Sequence, residues 1–291
     1  MKTCVFPGLL SILMMLSSPC TTAAPAANKL PDTKPATIEV VLAPTSEQSA
    51  TLNFTASDGV NVTGQLLLPN SPASKLALLL HPMGSDQTFW TRADHAMHAH
   101  RLSHALRKDG YLVVTLDARL HGSRAEPQIT ARDLLASARS DNPTLYHNTI
   151  QGTIQDYTEV LAWAETEYQP QETLVMGYSM GAQMSLILAA QNTSIDHVIV
   201  MVPPYVAVKN SPVAPRAFTE QIDQASVLWI AAKQDEYSDP AQTQATFDLI
   251  PSQSKRLTWL NSGHRLPLSY TDIVLEHLTQ LTLTSGQERA Q

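Results

Sequence analysis

Cysteine is almost absent from this sequence: of 291 residues only Cys4 and Cys20 carry a thiol, and both lie near the start. A disulfide framework for the rest of the chain is thereby excluded. Charge is also scarce, at 15% of residues against about 25% in an average soluble protein. The net charge is −7 and no Lys/Arg run occurs anywhere. A nucleic-acid surface needs a basic stripe to neutralise phosphates, so no nucleic-acid partner is expected. Beyond the N-terminal segment no apolar run approaches the roughly 18 residues of a membrane-crossing helix, and no transmembrane span is expected. Neither G-x-G-x-x-G nor a P-loop is present, so no cofactor is expected either. Internal repeats at solenoid or propeller periods are lacking.

Apolar residues, by contrast, make up 43% of the chain, enough for the core of one large domain. The first 26 residues read as an export signal. Lys2 supplies a positive start, Val5 to Leu16 an apolar stretch, and Ala24-Pro25-Ala26 a small-residue cleavage option. A second reading stays open, because Leu16-Ser17-Ser18-Pro19-Cys20 resembles a bacterial lipoprotein cleavage box with Cys20 as the lipidated residue. The expected location is secreted or periplasmic, or lipid-anchored through Cys20. Residues 27–46 carry Pro31, Pro35 and Pro44 and read as an extended linker, in which Ile38 to Leu42 could add a peripheral strand. The domain proper is expected over 47–284, with a tail at 285–291.

Within that domain strand and helix patterns alternate. Thr51 to Thr55 and Val60 to Leu68 predict a hairpin around Asp58-Gly59. The short, wholly apolar run at Leu76 to Leu80 predicts a strand buried on both faces, Tyr111 to Leu116 predicts the next buried strand, and Thr173 to Met176, His197 to Val202 and Val227 to Ala231 predict further strands, with Arg256 to Leu260 the last. Helices are expected at Arg92 to Lys108, Ile150 to Glu167, Met180 to Ala190, Asp239 to Leu249 and Ser269 to Leu281. This alternation implies right-handed crossovers and a mostly parallel, twisted sheet of about eight strands, covered by helices on both sides. Functional groups in such sheets gather beyond the carboxyl ends of the strands.

Gly177-Tyr178-Ser179-Met180-Gly181 fits G-x-S-x-G and sits between a predicted strand and a predicted helix. A serine there projects above the sheet on a tight turn, and small residues on either side let strand and helix approach. Its hydroxyl needs a base to take the proton. Among ten histidines, His264 follows the last strand, whereas His277 lies within the final helix and is expected at the surface. The base needs a carboxylate to fix its tautomer. Asp235, a few residues after strand Val227 to Ala231, is the candidate, with Glu236 and Asp239 as rivals; Asp239 precedes Pro240 as a helix cap would.

The order Ser179, Asp235, His264, each behind its own strand, resembles the α/β-hydrolase superfamily over roughly residues 48–282, in the manner of esterases, lipases and dienelactone hydrolases. His81-Pro82-Met83-Gly84 is similar to the family's oxyanion loop, with Pro82 replacing a glycine. The resemblance implies that the backbone N–H groups of Met83 and Met180 hold the oxyanion. Asp117-Ala118-Arg119-Leu120-His121-Gly122-Ser123 looks like the family's D-x-R-G-x-G-x-S turn, with Leu120 in place of a glycine. The implied activity is carboxylic ester hydrolysis through an acyl-enzyme, on a small-molecule ester. The same three residues serve amide or peptide hydrolysis and acyl transfer equally well, and a non-catalytic binding protein on this fold is the further alternative.

His81, Tyr178, Pro203 and Tyr205 are the candidates for the substrate pocket. The span from Pro203 to Ser226 is too short for a large cap, and Ala125 to Thr149, with Leu134, Leu135, Leu145 and Tyr146, is expected to form a small flap. His95, His98, His100 and His104 include a helical i, i+4 pair but lack a carboxylate or cysteine framework, and read as a polar helix face with no metal.

Overall fold

The computed structural model describes residues 39–42, 48–206 and 211–288. The expected signal segment and the ends of the expected linker lie outside them. Nine strands form one sheet in the order β1-β2-β3-β5-β4-β6-β7-β8-β9. They are β1 (Glu39–Leu42), β2 (Ser49–Thr55), β3 (Asn61–Leu67), β4 (Lys75–Leu80), β5 (Tyr111–Leu116), β6 (Thr173–Tyr178), β7 (His197–Met201), β8 (Ser226–Ala232) and β9 (Lys255–Leu260). The first four neighbours along this order pair antiparallel, and every pair from β5 to β9 is parallel. The strand beyond the eight expected is β1, which takes the peripheral place beside β2 within the segment read as linker.

Side-chain alternation along the buried strands explains why both faces are covered. Leu76, Leu78 and Leu80 of β4 point to one side, where they join Ile150, Ile154 and Tyr157 of α3 (Thr144–Tyr168) and Met184 and Ile187 of α4 (Met180–Gln191). Ala77 and Leu79 point to the other, against Leu102 and Leu106 of α1 (His100–Lys108) and Tyr270 and Val274 of α6 (Ser269–Glu288). A period of two in a wholly apolar strand thus builds two cores from one sequence run. All described residues fall in one compact unit, Lys34–Gln291. None of its described helices is long and apolar enough to cross a membrane.

Three helices depart from expectation. The helix expected from Arg92 begins only at His100, because His98 takes a left-handed backbone (φ 51°) that no α-helix accommodates. Helix α3 starts six positions early, at Thr144, where Asn142 Oδ1 accepts the Thr144 hydroxyl at 2.6 Å. Helix α6 runs on to Glu288, through the start of the expected tail.

The loop after β7 carries only short 3₁₀ turns at Pro215–Ala217 and Thr219–Gln221 among its described residues, so no large cap is built there. Cover comes instead from α2 (Ala131–Ala138) in the 125–149 insertion. Thr130 and Asp133 start it with a capping box: the Thr130 hydroxyl accepts the Asp133 N–H, and the Asp133 carboxylate accepts the Thr130 N–H at 2.8 Å.

Candidate active site

The sheet order reverses at β4, which lies between β5 and β6, and the crevice beyond the carboxyl ends opens at that reversal. His81 follows β4 directly and Ser179 follows β6 directly, while Asp235 and His264 sit in the loops after β8 and β9.

Ser179 occupies a backbone conformation (φ 53°, ψ −116°) that side chains rarely adopt. Close packing around it explains the flanking glycines: a Cβ on Gly177 would collide with the Gly181 carbonyl oxygen, and one on Gly181 with the Leu80 carbonyl oxygen. Ser179 is the N-cap of α4, yet its hydroxyl caps nothing. A serine at that place usually turns its oxygen back onto the helix. Here Oγ lies 2.7 Å from His264 Nε2 instead.

The other ring nitrogen, Nδ1, is 2.9 and 3.0 Å from the two carboxylate oxygens of Asp235. A carboxylate can only accept, so Nδ1 carries the proton and Nε2 is left to accept the Ser179 hydroxyl proton. The Asp235 side chain is only 4% exposed and also receives the Tyr237 N–H at 2.8 Å. Neither rival acid takes this place. Asp239 caps α5 (Pro240–Asp248), accepting the Gln242 N–H at 2.9 Å. Glu236 accepts the backbone N–H of His264 at 2.8 Å.

His81 sets the loop that follows β4. Its Nε2 accepts the Ala118 N–H at 2.9 Å, which puts the ring proton on Nδ1, and Nδ1–H donates to the Pro82 carbonyl at 2.8 Å. Burial drives this imidazole down to about 4, so it stays neutral. The Pro82–Met83 peptide is trans, and a trans peptide aims its N–H opposite its carbonyl. The Met83 N–H therefore turns away from His81, and it has no acceptor among the described residues. The Met180 N–H is the first of helix α4, one of the four that a helix leaves unpaired.

A cavity of about 650 Å³ opens above these groups, lined by Met83, Tyr178, Ser179, Met180, Tyr205 and His264 among others. Tyr205 is thus where the sequence places it. Tyr178 reaches the cavity wall but its hydroxyl works beneath, donating to the His264 carbonyl at 2.9 Å and accepting the Leu266 N–H at 3.0 Å. His81 lies under the loop after β4, 1% exposed, and does not face the cavity. Pro203 does not face it either: Val202 (φ 46°) turns the chain at the end of β7, and Pro203 lines a smaller space beside Trp229. Pro204 and Tyr205 take its expected place.

Helix α2 lines the cavity with Ala131, Leu135 and Ala138, at helical spacing, and Arg139, its C-cap, lines it too. The expected flap is therefore present with different contacts: Leu135 and Tyr146 line the cavity, and Leu134 is buried behind them. Arg139 lies over the Tyr237 ring at 5.7 Å, and that ring meets His264 at 4.6 Å. Nothing in the sequence pattern marks this stack. Of the histidine cluster only His100 and His104 share a helix, their rings 6.0 Å apart, and no metal-binding group of three His, Cys, Asp or Glu occurs among the described residues.

The profile of the alpha/beta hydrolase family matches residues 77–284. The chain belongs to that family. No curated protein sequence matches this alpha/beta hydrolase. Similar solved structures include a cold-adapted esterase from an Arctic intertidal metagenomic library, at 18% identity and a TM-score of 0.64 over 81% of this chain and 95% of that one. An esterase of Pyrococcus furiosus is similar at 17% identity and a TM-score of 0.61, over 81% and 92%. Acetyl xylan esterase 1 from Thermoanaerobacterium sp. JW/SL YS485 is similar at 16% identity and a TM-score of 0.65, over 85% and 88%. At these identities the likeness is one of fold.

Proposed function

We propose that this alpha/beta hydrolase cleaves carboxylic esters of small molecules through an acyl-enzyme on Ser179. The observation that carries the reading is the unbroken hydrogen-bond line from Asp235 through His264 to the Ser179 hydroxyl, which ends at a cavity that Met83 and Met180 help to line. The esterases among the similar structures support it.

Ser179 Oγ attacks the ester carbonyl carbon while its proton passes to His264 Nε2. Charge builds on the carbonyl oxygen, where the Met83 and Met180 N–H groups receive it. Asp235 stabilises the imidazolium without taking its proton. The C–O bond to the leaving alcohol then breaks as His264 returns the proton to that oxygen. Water, deprotonated by the same nitrogen, then attacks the acyl carbon; the C–Oγ bond breaks, Oγ takes the proton back from His264, and the acid leaves. The N-terminal segment supports export as the setting for this activity.

Chromogenic esters of increasing acyl length, offered to the wild type and to Ser179→Ala, test the reading. Turnover by the wild type and background rates for the variant are expected. A variant that hydrolyses as fast as the wild type would overturn it.

A further inference from the structure

Two adjacent acids grip the same histidine, one at its ring and one at its backbone. Asp235 accepts the hydrogen bond from the His264 Nδ1–H, and Glu236 Oε2 accepts the His264 backbone N–H at 2.8 Å. We propose that Glu236 is a positioning residue for the catalytic base, fixing the main chain of His264 from the cavity side so that the imidazole stays aimed at Ser179. The proposal rests on the triad reading above.

The segment that carries His264, residues 261–268, has no regular structure to hold it. Its fastenings are individual bonds. The Gln234 N–H donates to the Ser262 carbonyl at 3.0 Å, continuing the β8–β9 pairing past the strand ends. From beneath, the Tyr178 hydroxyl holds the His264 carbonyl and the Leu266 N–H. From above, Glu236 holds the His264 N–H. With Asp235 gripping Nδ1 alone, the ring could pivot about that contact. The grip on the main chain removes the pivot. Misplacing a catalytic group by about 1 Å can cost on the order of 10²-fold in rate.

Gly263 shows how closely the carboxylate lies over the loop. A Cβ added there would stand 2.9 Å from Glu236 Oε1, tighter than ordinary contact. Glu236 is a flexible, exposed side chain, so the relief is for it to swing away and release the His264 N–H. Glycine at 263 is thus what leaves room for the bond. The bond also holds the Glu236 carboxyl below its ordinary range, so the acceptor is ionised at neutral pH. Exposed hydrogen bonds of this kind add little to the stability of a fold, which separates a positioning role from a structural one.

The test uses Glu236→Ala, Glu236→Gln, Gly263→Ala and the double variant Glu236→Ala/Gly263→Ala. Readouts are kcat and KM on a chromogenic ester, Tm, and the rate of Ser179 labelling by a fluorophosphonate. Glu236→Ala is expected to lower kcat and the labelling rate roughly ten-fold, with KM within about two-fold and Tm unmoved. Glu236→Gln, which keeps an accepting oxygen, recovers most of that loss. Gly263→Ala reproduces the loss, and the double variant is no worse than either single one, because both remove the same bond. If Glu236→Ala labels and turns over like the wild type, or if the two losses multiply, the proposal is wrong. A fall in Tm matching the fall in rate assigns Glu236 to the fold instead. Should the wild type itself fail to label, the triad reading falls and this proposal with it.

Discussion

His81 is bonded to the carbonyl of its own neighbour Pro82, Nδ1 to O at 2.8 Å, and this bond orients the peptide whose N–H belongs to Met83. In the function proposed above that N–H is the first oxyanion donor, so a residue that never meets the cavity decides where it points. His81→Ala is expected to lower kcat by about 10² to 10³-fold, the range for losing one such donor, while KM changes little. It also strands the Ala118 N–H, which lowers stability by about 1–3 kcal/mol. Steady-state kinetics and thermal melts of the variant check both.

Asp235 and its former rival Asp239 make separable predictions. Asp235→Asn removes the acceptor that fixes the tautomer and is expected to lower kcat by about 10⁴-fold with the fold intact. Asp239→Ala removes a helix cap and is expected to cost about 1 kcal/mol of stability with kcat retained. Parallel kinetics and melts of the two variants separate the roles; equal kinetic losses would contradict the assignment.

Much of this was readable from residue order. Strand-sized apolar runs locate the sheet, and Ser179, Asp235 and His264 follow their strands closely enough that residue order alone puts them at one end of it. What escaped were relations between residues distant in sequence whose types carry no special signal. The Arg139–Tyr237–His264 stack joins three loops that share no motif. Pro203 fell out of the cavity because of a left-handed Val202, a conformation no rule would assign to a β-branched residue. The stretch before His100 carries a helical pattern that tertiary packing overrides, with Phe89 and Trp90 buried ahead of it. Tyr178 lines the cavity as expected, whereas His81 turns away from it. Sequence shows proximity to a strand end and does not show which way a side chain then turns. His277 was expected at the surface, yet burial drives its imidazole down to about 4.

Acid stability should fall in two stages. His277 titrates ordinarily near 6.5 and near 4 in the folded chain, so the unfolded state takes up its proton first. Its contribution is full above about pH 6.5 and is lost as pH falls toward 4. Glu172 lies at the opposite end of the sheet from Ser179. Burial opposes its ionisation, but hydrogen bonds from His197 and Tyr111 and the Lys75 charge outweigh this and hold it at about 2, against an ordinary 4.5. Its contribution is full above about pH 4.5 and disappears between there and 2. In melts across this range, His277→Leu is expected to lose less Tm in the first window. Glu172→Gln is expected to melt lower at neutral pH and to lose less in the second. Variant curves parallel to the wild type would contradict the assignment.

The central claim is that the Ser179 hydroxyl, with its proton accepted by His264, is the nucleophile. Intact-protein and peptide mass spectrometry after exposure to a fluorophosphonate measures this directly. The prediction is one adduct per chain, on the peptide carrying Ser179, formed far more slowly in His264→Ala and absent in Ser179→Ala. An unlabelled wild type that is properly folded, or an adduct that persists in Ser179→Ala, would contradict it.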